Sequence, residues 1–125
     1  MDAAAVRIRL RDAQTRLQSA ELQLSGDSPH EWKHAAEIAV STGIAASDAI
    51  CGHVLGYKLS GDSHTEAVAA LRSVSDATTS KHLDALLAAK SAQSYGDRLP
   101  TRTEAERLVV HATRLVDAAE RSLQG

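Results

Sequence analysis

The sequence predicts an all-α fold, an up-down antiparallel bundle of four to five helices, and three observations predict it. Apolar residues recur at alternating spacings of three and four, which places one buried stripe on each helix. Three segments pair a Ser or Thr with a Glu three positions on, the capping-box signature of a helix start. The composition is rich in Ala and Leu, with no Phe and one Trp. Such side chains suit closely spaced helices with thin contacts rather than packed β-branched strands. A chain of 125 residues fits one domain, residues 1–125, whose core needs neither metal nor disulfide.

The first helix is expected from Asp2 to Leu24, with Val6, Leu10, Ala13, Leu17, Ala20 and Leu24 on its stripe. Ser25-Gly26-Asp27 breaks it. The second helix opens with Ser28 as cap, Pro29 at the first helical position and Glu31 closing a capping box. From Ala35 to Tyr57 its formal charges are Glu37 and Asp48, so it reads as a central, buried helix. Gly43, Gly52 and Gly56 interrupt this helix, and close approach of neighbouring helices is the expected reason. After Ser60-Gly61-Asp62, the capping box Ser63 to Glu66 opens a short third helix with Ala67, Val68, Leu71 and Val74 inside. A polar link is expected over Ser75 to Ser80. The fourth helix then runs from Ser80 to Ser94 on Leu83, Leu86 and Leu87. Gly96 to Pro100 turns the chain, and Thr101 to Glu104 caps the fifth helix. Its inner face is Ala105, Leu108, Val109, Ala112, Leu115, Val116 and Ala119. Short connections should make successive helices antiparallel.

The formal net charge of -2 argues against a global basic field for nucleic acid. Local arginine strips remain, with Arg7, Arg9, Arg11 and Arg16 on the first helix and Arg98, Arg102, Arg107, Arg114 and Arg121 at and along the last. Cys51 is the single cysteine and sits in an apolar run, where a buried small residue is expected. The N-terminal segment is charged and unlike a signal peptide, and no stretch reads as a membrane span, so a cytoplasmic protein is expected. The six histidines are scattered. His30 and His34 lie one turn apart, but no further ligands follow at a standard spacing, so no metal and no cofactor is expected.

Two features could carry more than packing. Glu37, Ser41, Asp48 and Gly52 share one face of the apolar second helix. A carboxylate there must face water, line a pocket or hold a cation from another helix. Lys90 continues the inner face of the fourth helix, and Asp48 is the candidate partner for its ammonium group. Ser94, Tyr95, Gly96, Asp97 and Arg98 follow Lys90 and form the most site-like cluster in the chain. The alternative is a helix end capped by Gly96, with Tyr95 as a packing anchor.

The runs "AAEIAVSTGIAASDAICGHVLG", "GDSHTEAV" and "LLAAKSAQSYGDRLPTRTEAERLVVHATRLVDAAERSL" resemble the HEPN superfamily, in particular its small stand-alone actinobacterial members. The resemblance extends from Ser28 to Leu123 and rests on order and texture more than on identity. It implies a homodimer whose motif residues face a cleft, in a toxin–antitoxin, defence or stress-related setting. Many members are metal-independent ribonucleases with an Arg and a His near the end of the fourth helix. Here Lys90 stands in place of that Arg and Tyr95 in place of that His. Tyrosine does not titrate near neutrality as histidine does, and lysine lacks the arginine fork. Lys90 could still touch a phosphate and Tyr95 could still stack on a base.

These readings leave four expectations. The first is a non-catalytic homodimeric module that binds RNA, a nucleotide or a cognate protein partner. The second is a divergent ribonuclease or nucleotidyl-acting enzyme using Lys90, Asp48 and Tyr95, assisted by Ser94 or Arg98. The third is a nucleic-acid binder built on the arginines of the first and last helices. The fourth is a small-ligand pocket near Asp48.

Overall fold

The computed structural model describes residues 1–56, 63–92 and 98–124. Five helices and no strand are found among them: α1 Ala3–Leu24, α2 Pro29–Leu55, α3 His64–Val74, α4 Ala77–Ala92 and α5 Arg102–Gln124. Local chemistry fixes the ends. Asp2 caps α1 by accepting from the Ala5 amide at 2.8 Å. Ser28 caps α2 through the His30 amide, and Ser63 caps α3 through the Glu66 amide. At α5 the capping box is reciprocal: Thr101 Oγ1 accepts from the Glu104 amide at 3.1 Å, and Glu104 accepts from the Thr101 amide at 2.9 Å.

The expected polar link before α4 is shorter than the sequence suggested. α4 begins at Ala77, not Ser80, because Asp76 caps it by accepting from the Thr79 amide at 2.6 Å. Those contacts hold the Asp76 carboxyl below its usual range, the backbone hydrogen bond from Thr79 being the largest cause. Thr79 and Ser80 are buried, and Ser80 returns its hydroxyl proton to the Ala77 carbonyl.

The long helices alternate in direction. Arg9 meets Asp48 and Arg16 meets Ser41, so α1 and α2 run antiparallel. The same bookkeeping places α2 and α5 parallel: Trp32 lies beside Arg102, and Gly43 lies beside Leu115. α4 returns antiparallel to α5: Asp76, before its first turn, is near Arg121, and His82 meets His111. In a square bundle of this order α2 and α5 would be diagonal and apart. Here they touch extensively, whereas α1 and α4 do not touch at all among the described residues. The cross-section is therefore a rhombus whose short diagonal is α2–α5.

Small side chains cause this shape. The buried surface of α2 includes Ala35, Ala36, Ala39, Ala45, Ala46, Ala49 and Gly43, and that of α5 includes Ala105, Ala112 and Ala119. Helix axes that meet on such residues approach to the lower end of the usual range of about 8–10 Å. At Gly43 both α4 and α5 close on α2, since a Cβ there would lie 2.3 Å from Leu86 Cδ1 and 3.1 Å from Leu115 Cδ1. Leu71, Leu83, Leu86, Leu115 and Ile50 supply the bulk that the alanines leave out, and all are essentially inaccessible.

Gly52 serves a second approach. A Cβ there would meet Met1 Sδ at 2.6 Å and Val6 Cγ2 at 3.3 Å, so the start of α1 lies directly on α2. Gly56 is different from both. It ends α2 in the left-handed conformation, φ 77°, with nothing within 4 Å of the Cβ position. The expected packing role does not apply to it; it is a helix C-cap, where only glycine avoids the steric penalty of positive φ.

α2 also corrects the expectation about membranes. By length and composition alone it could cross one, and more than half of that apolar window is buried inside the bundle. A core helix surrounded by neighbours needs the same residues that a spanning helix needs, so the test does not separate the two.

Candidate functional site: paired charges on the bundle and the end of α4

The polar stripe of α2 faces α1. Arg9 donates to Asp48 Oδ2 from Nε at 3.1 Å and from Nη2 at 2.8 Å. The two side chains keep 20% and 15% of their exposure. Arg9 also lies 3.6 Å from Asp12 on its own helix. One turn-pair further along, Arg16 reaches the Ser41 carbonyl at 3.5 Å. Glu37 lies exposed at the open end of this stripe. The half-buried Asp48 thus holds a cation from another helix, but that cation is Arg9 and not Lys90. Lys90 is exposed, near the described end of α4, with no ion-pair partner among the described residues. The reason lies in the faces of α2: Asp48 turns toward α1, whereas α4 meets α2 through Leu86 at Gly43, and α1 and α4 do not touch among the described residues.

The remaining residues of the expected cluster divide. Ser94 and Tyr95 lie outside the described residues. Arg98 is described, and its two terminal nitrogens bind the two carboxylate oxygens of Glu104 at 3.0 and 2.9 Å. That fork, with the Thr101 amide, pulls the Glu104 carboxyl down to about 2. Arg98 therefore helps to cap α5 electrostatically.

The arginine strips are also partly committed. On α1, Arg9 and Arg16 turn toward α2. On α5, Arg102 stands 5.8 Å from the centroid of the Trp32 ring and 3.8 Å from Glu106. Trp32 donates its indole hydrogen to the Gly26 carbonyl at 2.9 Å. The sole tryptophan so fastens the α1–α2 turn to the start of α5, a role that sequence spacing gave no sign of.

Two histidine contacts were not foreseen either. His64 Nε2 lies 2.6 Å from Asp84 Oδ1, joining α3 to α4. His82 and His111 face each other between α4 and α5, with their Nδ1 atoms 2.9 Å apart and ring centroids 5.2 Å apart. That centroid separation places the two nitrogens nearly in line between the rings, the geometry of a shared hydrogen rather than of two lone pairs converging on a metal. Among the described residues no group of three or more His, Cys, Asp or Glu could hold a metal. Burial lowers the affinity of His82 for a proton, Arg114 lowers it further, and Asp76 opposes. Burial and the neighbouring His82 lower that of His111. Both groups are then harder to protonate folded than unfolded, so stability holds above about pH 6.5 and is lost as the pH falls through that value. A second proton would also leave two donors face to face. Thermal unfolding between pH 7 and 5 should therefore show a falling midpoint, and His82→Gln should flatten the fall. An equally steep fall in that variant would remove the pair as its cause.

Cys51 is buried, as expected. Burial is the main force raising its thiol, with Asp48 adding to it and a hydrogen bond with Ser47 opposing. A thiol so placed is a packing group.

Comparison with protein families, curated proteins and solved structures finds no match to this chain.

Proposed function

We propose that the chain is a non-catalytic, HEPN-like helical module that acts as a homodimer and binds RNA at the C-terminal end of α4, in a toxin–antitoxin, defence or stress-related setting. The observation that carries this reading is Lys90. It stands exposed near the end of α4, with no ion-pair partner among the described residues, while Asp48 pairs with Arg9. A flexible ammonium group in that position suits a phosphate contact. The bundle order, with α4 returning antiparallel onto α5, brings the end of α4 to the start of α5, where Arg102 and Trp32 lie.

Binding without cleavage follows from residue chemistry. Acid–base work at neutral pH needs a group that titrates there, and the position that resembles the family's histidine holds Tyr95. Asp48, the carboxylate that a divergent enzyme would draw on, is tied to Arg9. The test is to incubate clean protein with RNAs of varied sequence, and to measure its mass in solution. Intact RNA and a dimeric mass are expected. Cleavage that disappears in Lys90→Ala or Tyr95→Ala would establish the divergent-ribonuclease alternative instead.

A further inference from the structure

A groove of about 390 Å³ opens between α1, the end of α2 and the end of α5. Gly52 of α2 lies close by: with no side chain there, Met1 and Val6 settle onto α2. α1 and α5 are bridged where Gln14 donates to Glu120 Oε2 at 2.8 Å. Val6, Leu10 and Leu123 form the apolar floor, and Arg7 and His53 stand at the rim. Neither rim side chain has a hydrogen-bond or ion-pair partner among the described residues. The volume is that of a small-molecule site, and a groove between bundle helices is a common place for one.

The charges select the occupant. Arg7 sits one turn into α1, toward its positive N-terminal end, and offers a planar fork that matches a carboxylate. Glu120 of α5 also lines the groove, and its charge disfavours a head group carrying two negative charges. The apolar floor requires a hydrocarbon body behind the head.

We infer that this groove binds a small organic monocarboxylate, with its head on Arg7 and its body along Val6, Leu10 and Leu123. Asp48, where the sequence suggested a ligand pocket, does not line it. The site is separate from the proposed RNA contact and stands or falls independently of it.

The probes are octanoate and benzoate, with acetate and inorganic phosphate as comparisons, read by calorimetric titration of the full chain. Either octanoate or benzoate should bind saturably at one site, while acetate and phosphate bind at least tenfold more weakly. Loss of a charge-assisted pair should make Arg7→Gln weaken binding roughly tenfold or more. Leu123→Asn, at the half-buried end of α5, should weaken the long-bodied probe and leave acetate unchanged. An absence of saturable binding by both probes to folded wild-type protein would overturn the inference. So would unchanged affinity in Arg7→Gln, or phosphate binding as tightly as octanoate.

Discussion

Leu115→Ala should lower the unfolding free energy by about 2–5 kcal/mol, the largest single loss in the molecule. Leu115 is fully buried on α5 and lies against Gly43 of α2, on the short diagonal of the rhombus. The α2 position it faces is a glycine on an Ala-rich surface, which has few rotamers with which to close a cavity. The cost should therefore fall toward the upper end of that range. Urea unfolding would show it as a lower midpoint with an unchanged slope. A loss under about 1 kcal/mol would mean that α2 and α5 slide to fill the gap.

The complementary change is Gly43→Leu. It forces side-chain atoms into space held by Leu86 and Leu115, since even a Cβ would come within 2.3 Å of Leu86. Overpacking of this kind typically costs about 1–3 kcal/mol, and more where several helices meet. The variant should unfold at a much lower temperature, and it should lose the fixed side-chain environment before it loses helix content. Gly43→Ala provides the scale. It gains about 1 kcal/mol of helix propensity, which partly offsets its smaller clash. Its stability should therefore fall between those of wild type and Gly43→Leu.

Both predictions concern features that the sequence half discloses. The Ala-rich stripe of α2 announces a buried helix, and the glycines announce close approach. Which helix approaches at each glycine depends on the register between distant segments. Gly43 receives α4 and α5, Gly52 receives α1, and Gly56 caps. The helix starts at Ser63 and Thr101 were legible because a capping box is local. The start of α4 was not, because Asp76 caps through Thr79 without a glutamate to complete the box, and the following Thr-Thr-Ser run looks like a loop.

The candidate site follows the same division. The sequence showed that Asp48 must face water, line a pocket or hold a cation from another helix. It could not say which cation, because Arg9 lies 39 positions away and Lys90 42. His82 and His111, 29 positions apart, carry no local signal at all. Pairs of this kind belong to the packing of helices, and periodicity within one helix is blind to them.

The proposed function depends most directly on whether Lys90 meets a phosphate. Binding of fluorescently labelled single-stranded RNA to the wild-type protein and to Lys90→Ala, each across a salt series, measures this. The proposal predicts saturable wild-type binding that weakens with salt. In Lys90→Ala, affinity should fall and the salt slope should drop by about one counterion. Equal affinity and equal slope in the two proteins, or no binding by either, would contradict it.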